Sequence, residues 1–222
     1  QTRHSTMRLL TGLISMLLGA TAFGAAHGQA RAEECNGPCV TYSLDYEVFA
    51  NFLNSGDGWY RDLYPNFDTA VSLEAGNGFA VNADVTIEPV TDPEPGQNRA
   101  FKDIGAYFSA LNLSYENDDF SLLAGQFKPN FGRAWDVAPG LYGTFLAEDY
   151  GLSDRIGVEG SYFFNAGGFH NQATASVFTL DRSFLSGSIL TNRSMNDINN
   201  GGAGNTNGLS SVSLTLTGCQ GT

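Results

Sequence analysis

The chain has 222 residues, with 11 Lys and Arg against 23 Asp and Glu and a formal net charge of −12. That balance excludes nucleic acid as a partner, because a phosphate backbone is bound by a basic surface. With 42% hydrophobic residues and 27 Gly, the length suits one folded domain rich in turns.

Arg3 and Arg8 flank Met7, the first plausible initiator. Leu9 to Ala26 is almost wholly apolar or small, and Ala30-Arg31-Ala32 offers a small-x-small cleavage site before Glu33. Residues 1–32 therefore read as upstream residues plus a cleavable secretory signal rather than a retained anchor. Their removal takes away three arginines and leaves 8 basic residues against 23 acidic ones, a net charge of −15. No later stretch reaches the about 18 consecutive apolar residues of a spanning helix, so any membrane crossing must be made by strands.

Residues 33–39 read as a short periplasmic segment. Cys35 and Cys39 stand in C-N-G-P-C, where an oxidising compartment favours a disulfide-pinned turn. Two ligands with no nearby His are too few for a metal. No lipobox precedes Cys35, and Cys219 is left without an evident partner.

From Val40 the hydropathy alternates with a period of two. Tyr42, Leu44, Tyr46, Val48, Ala50 and Phe52 oppose Thr41, Ser43, Asp45, Glu47 and Asn51, with Phe49 as the exception. Residues 54–66 carry Gly, Pro, Asp and Asn and predict a long loop. The run from Phe67 ends at Gly76-Asn77-Gly78, a tight hairpin signal. The next run, Phe79 to Glu88, stops at Pro89, and residues 90–102 predict a second long loop. Ile104 to Tyr115 ends at a short acidic turn, and Phe120 to Lys128 is cut by Pro129, ahead of a loop of about 25 residues. Arg155 to Phe164, the short turn Asn165-Ala166-Gly167-Gly168, and Phe169 to Leu180 follow. Residues 181–208 predict a mobile Asn- and Gly-rich loop, and Leu209 to Gly218 a last strand.

The connections thus run long, short, long, short, long, short, long. An outer-membrane barrel has short periplasmic turns and long extracellular loops, and a chain rising from the periplasm shows this order. A secreted β-sandwich also alternates. The loop asymmetry, the rings near strand ends (Tyr42, Phe52, Phe67, Phe79, Tyr115, Phe120, Phe164, Phe169) and the polar second face favour the barrel. Residues 40–222 are expected to form an all-β, antiparallel, up-and-down transmembrane barrel.

Residues 125–157, GQFKPNFGRAWDVAPGLYGTFLAEDYGLSDRIG, resemble Gram-negative outer-membrane porins of the broad group that includes phosphate-selective and siderophore porins. Gly125, Phe127, Pro129, Phe131 and Gly132 match the strand-to-loop turn of such proteins, and Asp149, Tyr150, Arg155, Ile156 and Gly157 match the return. The resemblance is sharp over about 45 residues, counting the approach to this segment, and architectural elsewhere. It implies a passive diffusion channel for small hydrophilic solutes, with Lys128, Arg133 and Asp136 as constriction-loop candidates. It also implies outer-membrane lipid and lipopolysaccharide as surroundings and a homotrimer as an assembly.

The predicted pore-lining residues are Asp45, Glu47, Asp68, Glu74, Asp84, Glu88, Arg155 and Glu159. Carboxylates dominate, which departs from an anion-selective lining and predicts a mild cation preference. Catalysis is not expected. Only His170 lies outside the leader, and no nucleophile-elbow, P-loop or H-E-x-x-H motif occurs. No cofactor is expected.

About eight strands could close a small barrel, whose interior side chains would fill; that alternative is a structural or adhesive outer-membrane anchor. A porin needs about 16 strands. The chain ends on Gly218-Cys219-Gln220-Gly221-Thr222 and not on an aromatic-terminated strand, so the expectation is an N-terminal fragment of a larger barrel.

Overall fold

A computed structural model describes residues 37–54, 58–91, 93–94, 96–130, 152–200 and 206–220. The signal segment, Cys35, Arg133 and Asp136 lie outside the described residues.

The elements are strands throughout, apart from two short 3-10 turns. In chain order they are β1 (Cys39–Asn54), β2 (Trp59–Gly76), β3 (Phe79–Pro89), the two-residue β4 (Arg99–Ala100), β5 (Ile104–Glu116), β6 (Phe120–Phe127), β7 (Arg155–Ala166), β8 (Phe169–Leu180), the two-residue β9 (Ile189–Leu190) and β10 (Ser211–Gln220). The long strands form one up-and-down antiparallel sheet in the order β1-β2-β3-β5-β6-β7-β8-β10. Strand β4 pairs with β2, and β9 pairs with β5. The sheet is not closed: among the described residues β1 pairs with β2 and β10 with β8, and each keeps one unpaired edge.

The short turns follow their sequence chemistry. Asn77 and Gly78 have φ of 57° and 82°, as a two-residue hairpin requires. A Cβ on Gly78 would fall 2.2 Å from the Glu116 carbonyl oxygen, so glycine also lets β5 end against this turn. The Asn117 side-chain oxygen accepts the N–H groups of Asp119 and Phe120, both at 2.9 Å, and so builds the β5–β6 turn.

The predicted first long loop is corrected. Residues 59–66 are strand, paired with β1 up to Asn54↔Trp59, and the length expected in a loop went into a projecting hairpin. Pro65 does not prevent this. Leu63, of the same parity, turns its carbonyl away from β1 to accept the Phe101 N–H at 2.8 Å, so the donor that proline lacks also faces away from β1. Pro65 and Pro89 both lie beyond Phe67↔Ile87, the last β2–β3 pair.

The register aligns like with like across all eight long strands. One row reads Val40, Leu73, Val81, Leu113, Ala124, Val158, Val177, Val212. The adjacent row toward the short turns, on the other face, reads Cys39, Glu74, Ala80, Ser114, Leu123, Glu159, Ser176, Ser213. One face is thus apolar from edge to edge and the other largely polar. A bulge in β5, where Ser109 is the extra residue between Asp84↔Ala110 and Val85↔Phe108, shifts the parity and turns Tyr107 to the polar face.

The usual distribution of burial is inverted. Val212, Leu214 and Leu216 are 61%, 76% and 72% exposed on the apolar face, while Ser161, Thr174, Ser176 and Ser213 on the polar face are buried. A soluble sheet hides its apolar side. Among the described residues the buried apolar side chains are Phe49, Tyr64, Phe127, Phe178 and Leu180.

Candidate pore-lining face

The register brings all eight predicted lining residues onto the polar face. Asp45 stands opposite Asp68, Asp84 opposite Ala70, Glu74 opposite Ala80, and Glu159 between Leu123 and Ser176. Strands β1, β2 and β3 therefore carry a carboxylate pair, Asp45 and Asp68, with Asp84 on the diagonal from Asp68. Thr86 donates to Asp68 at 2.7 Å, and both Lys128 and Asp68 act electrostatically on Asp84. Asp45 and Asp68 are exposed, and Glu47 and Asp84 are half-buried.

Toward the short turns the face is mostly neutral and cross-linked, with Glu74 and Glu159 as its carboxylates. Ser72 donates to the Asn82 side-chain oxygen at 2.8 Å, and the Asn82 amide donates to Asn112 at 3.0 Å and to Ser114 at 2.9 Å. Three strands, β2, β3 and β5, are tied together by groups that carry no charge. Between β7 and β8, Ser161 and Thr174 hydrogen-bond at 2.8 Å, and Ser176 donates to Glu159 at 2.6 Å. Gly125 and Gly157 face each other at the level of Phe178. A Cβ on Gly157 would lie 2.7 Å from the Phe178 Cα, so this pair is set by the close approach of β5, β6 and β8.

Toward the long connections the face becomes ionic. Arg99 binds Asp62 through two hydrogen bonds, at 2.6 and 2.8 Å, with both side chains buried. The Arg99 guanidinium also lies 5.5 Å from the Tyr64 ring centre, and Tyr64 packs against Phe49 at 5.1 Å. Phe49, which broke the alternation of its run, faces inward because this cluster receives it. Tyr107 donates to Glu88 at 2.6 Å, and Arg193 lies 3.7 Å over the Tyr107 ring while pairing with Asp154 at 3.1 Å.

Of the predicted residues, Asp68, Glu88 and Glu159 thus accept hydrogen bonds from neighbours. Arg155 is 5% exposed and donates to the Ser153 carbonyl at 2.7 Å. Asp45, Glu47, Asp68 and Asp84 form the open carboxylate group. Lys128 is exposed at the end of β6. Cys39 is disulfide-bonded and Cys219 is free and exposed. Asp62, Arg99, Tyr107, Asp154 and Arg193 were not anticipated. Phe49 was the one sequence signal pointing to this region; the two ion pairs join residues 37 and 39 apart, beyond any spacing rule.

No group of three or more His, Cys, Asp or Glu suited to a metal occurs among the described residues. No protein-family model, curated protein or solved structure matches the chain.

Proposed function

We propose that this chain forms the wall of an outer-membrane channel of the porin type, through which small hydrophilic solutes and ions diffuse passively with a mild preference for cations. The observation that carries the reading is the inversion of the two faces. An apolar row spans eight strands and lies exposed, while the opposite face holds Asp45, Asp68, Asp84 and a network of amides and hydroxyls. Lipid outside and water inside is the environment that satisfies both faces.

Strand lengths support it. Strands β3, β6 and β10 have 11, 8 and 10 residues, near what a tilted strand needs to cross about 25 Å of hydrocarbon. So do the rings at the short-turn end, where Phe79 and Tyr115 lie 4.7 Å apart and Tyr115 and Phe120 5.6 Å apart, an interfacial belt. The secretory leader and the porin-like segment around Gly125, Phe127 and Pro129 agree with this placement. Lipopolysaccharide and lipid are then the neighbours of the apolar face, and further strands joining the edges of β1 and β10 complete the wall, in the trimer that the porin resemblance implies. The chain acts without catalysis.

The test of the channel is its reversal potential in planar bilayers under a salt gradient. Cation selectivity that weakens in the Asp68→Asn, Asp84→Asn variant is the expected result; anion selectivity of the unaltered protein contradicts the reading.

A further inference from the structure

Strand β6 is too short for its neighbour. It pairs with β5 only over Leu111–Glu116, leaving the β5 edge from Ile104 to Ala110 without β6. The segment after β8, expected to be mobile, is held against that edge. Gly105 pairs with Leu190 and Ala106 with Ile189, and the Thr191 N–H donates to the Ile104 carbonyl at 3.0 Å. Gly105 permits the approach, since a Cβ there would meet Val90 at 2.5 Å and the Thr191 carbonyl oxygen at 3.0 Å.

The contacts that hold this segment are polar. Arg193 donates to the Ser186 carbonyl at 2.9 Å, pairs with Asp154 at the head of β7, and covers the Tyr107 ring of β5. Its backbone N–H reaches Ser188 at 2.6 Å, and Asn196 donates to the Asp181 carbonyl at 3.1 Å. Apolar burial contributes little, because Phe184, Ile189 and Leu190 are 81%, 71% and 78% exposed. Leu190 also sits in the left-handed region at φ 71°, a conformation that costs a non-glycine residue free energy. A strap with few buried apolar contacts and strain at its pairing residue opens more readily than the sheet it rests on.

We propose that residues 181–200 are a detachable strap on the β5 edge that β6 leaves unpaired among the described residues, and that Arg193 is its clasp, joining β5, β7 and the strap through one side chain. The clasp does not rest on the channel reading.

Hydrogen exchange of the full chain, refolded in detergent micelles, tests it. In Arg193→Ala the Thr191 amide should exchange about tenfold faster or more, as loss of a stacked, ion-paired guanidinium implies, while amides of the β5–β6 pairs Leu113–Ala124 and Tyr115–Leu122 keep their rates. Arg193→Lys, which keeps the charge without the planar fork, should lie between. A disulfide between Ala106→Cys and Ile189→Cys, placed in the Cys219→Ser background, should return Thr191 to its original protection in Arg193→Ala. An unchanged Thr191 rate in Arg193→Ala, or acceleration of all sheet amides together, would overturn the clasp. Failure of the apolar face to contact lipid, with the exchange result intact, would instead remove the channel reading and leave the strap.

Discussion

The half of the sheet toward the short turns and the half toward the long connections are stabilised in opposite ways. Toward the turns, neutral amides and hydroxyls link neighbouring strands on one face, and the other face is largely apolar. Toward the loops, charges pair across long separations: buried Asp62 with Arg99, and half-buried Asp154 with Arg193. The first half leaves its apolar face exposed, whereas the second carries its own counter-charges. What the difference teaches is where the two regimes meet: near Phe67↔Ile87, the last β2–β3 pair, beyond which Pro65 and Pro89 lie.

The sharpest break in this comparison is Asp62→Ala, which leaves the Arg99 guanidinium buried without its carboxylate. Loss of one partner of a buried ion pair costs about 3–5 kcal/mol, to be measured as a lower urea midpoint of the chain refolded in micelles. Replacing both partners, as in Asp62→Leu with Arg99→Met, should cost less than Asp62→Ala alone.

Next in size is Leu113→Arg, on the apolar row. A cation facing lipid near the midplane costs about 2–4 kcal/mol, whereas Ser114→Arg, one residue along and on the polar face, should insert into vesicles nearly as well as the unaltered chain. Equal losses from both substitutions would erase the distinction between the faces.

Smaller again is Asn82→Ala. It removes the centre of the amide network and leaves Ser72, Asn112 and Ser114 short of partners, at about 1–3 kcal/mol. Because the network is neutral, the loss should not change with salt. A strong salt dependence would mean that Glu74 or Glu159 acts on the network.

How much of this was legible in the sequence divides along the same line. Alternation gave the strands from Val40, Phe67, Phe79, Phe169 and Leu209, because a period of two is local and each strand meets its neighbour through a short turn. It also grouped Asp45, Asp68 and Asp84 on one side, since hairpin register carries parity from strand to strand. Residues 59–66 were misread because Gly, Pro and Asp are turn formers, and what keeps Asp62 in a strand is Arg99 of β4, a partner 37 residues away. The Ser109 bulge, which re-aims Tyr107, leaves no mark in the pattern. The Arg193 clasp lies in a segment whose Asn and Gly content suggested mobility, and its contacts with Asp154 and Tyr107 are set by the fold alone. Phe49, off its expected face, was the visible trace of the ionic half.

The central claim, lipid on one face and water on the other, is tested most directly by a nitroxide scan of Ser211 to Thr217, in the Cys219→Ser background and in lipid vesicles. Collision rates with oxygen and with a water-soluble nickel chelate should alternate with a period of two, oxygen prevailing at Val212, Leu214 and Leu216 and the chelate at Ser213, Thr215 and Thr217. Loss of the alternation, or chelate access prevailing at the leucines, would contradict the account.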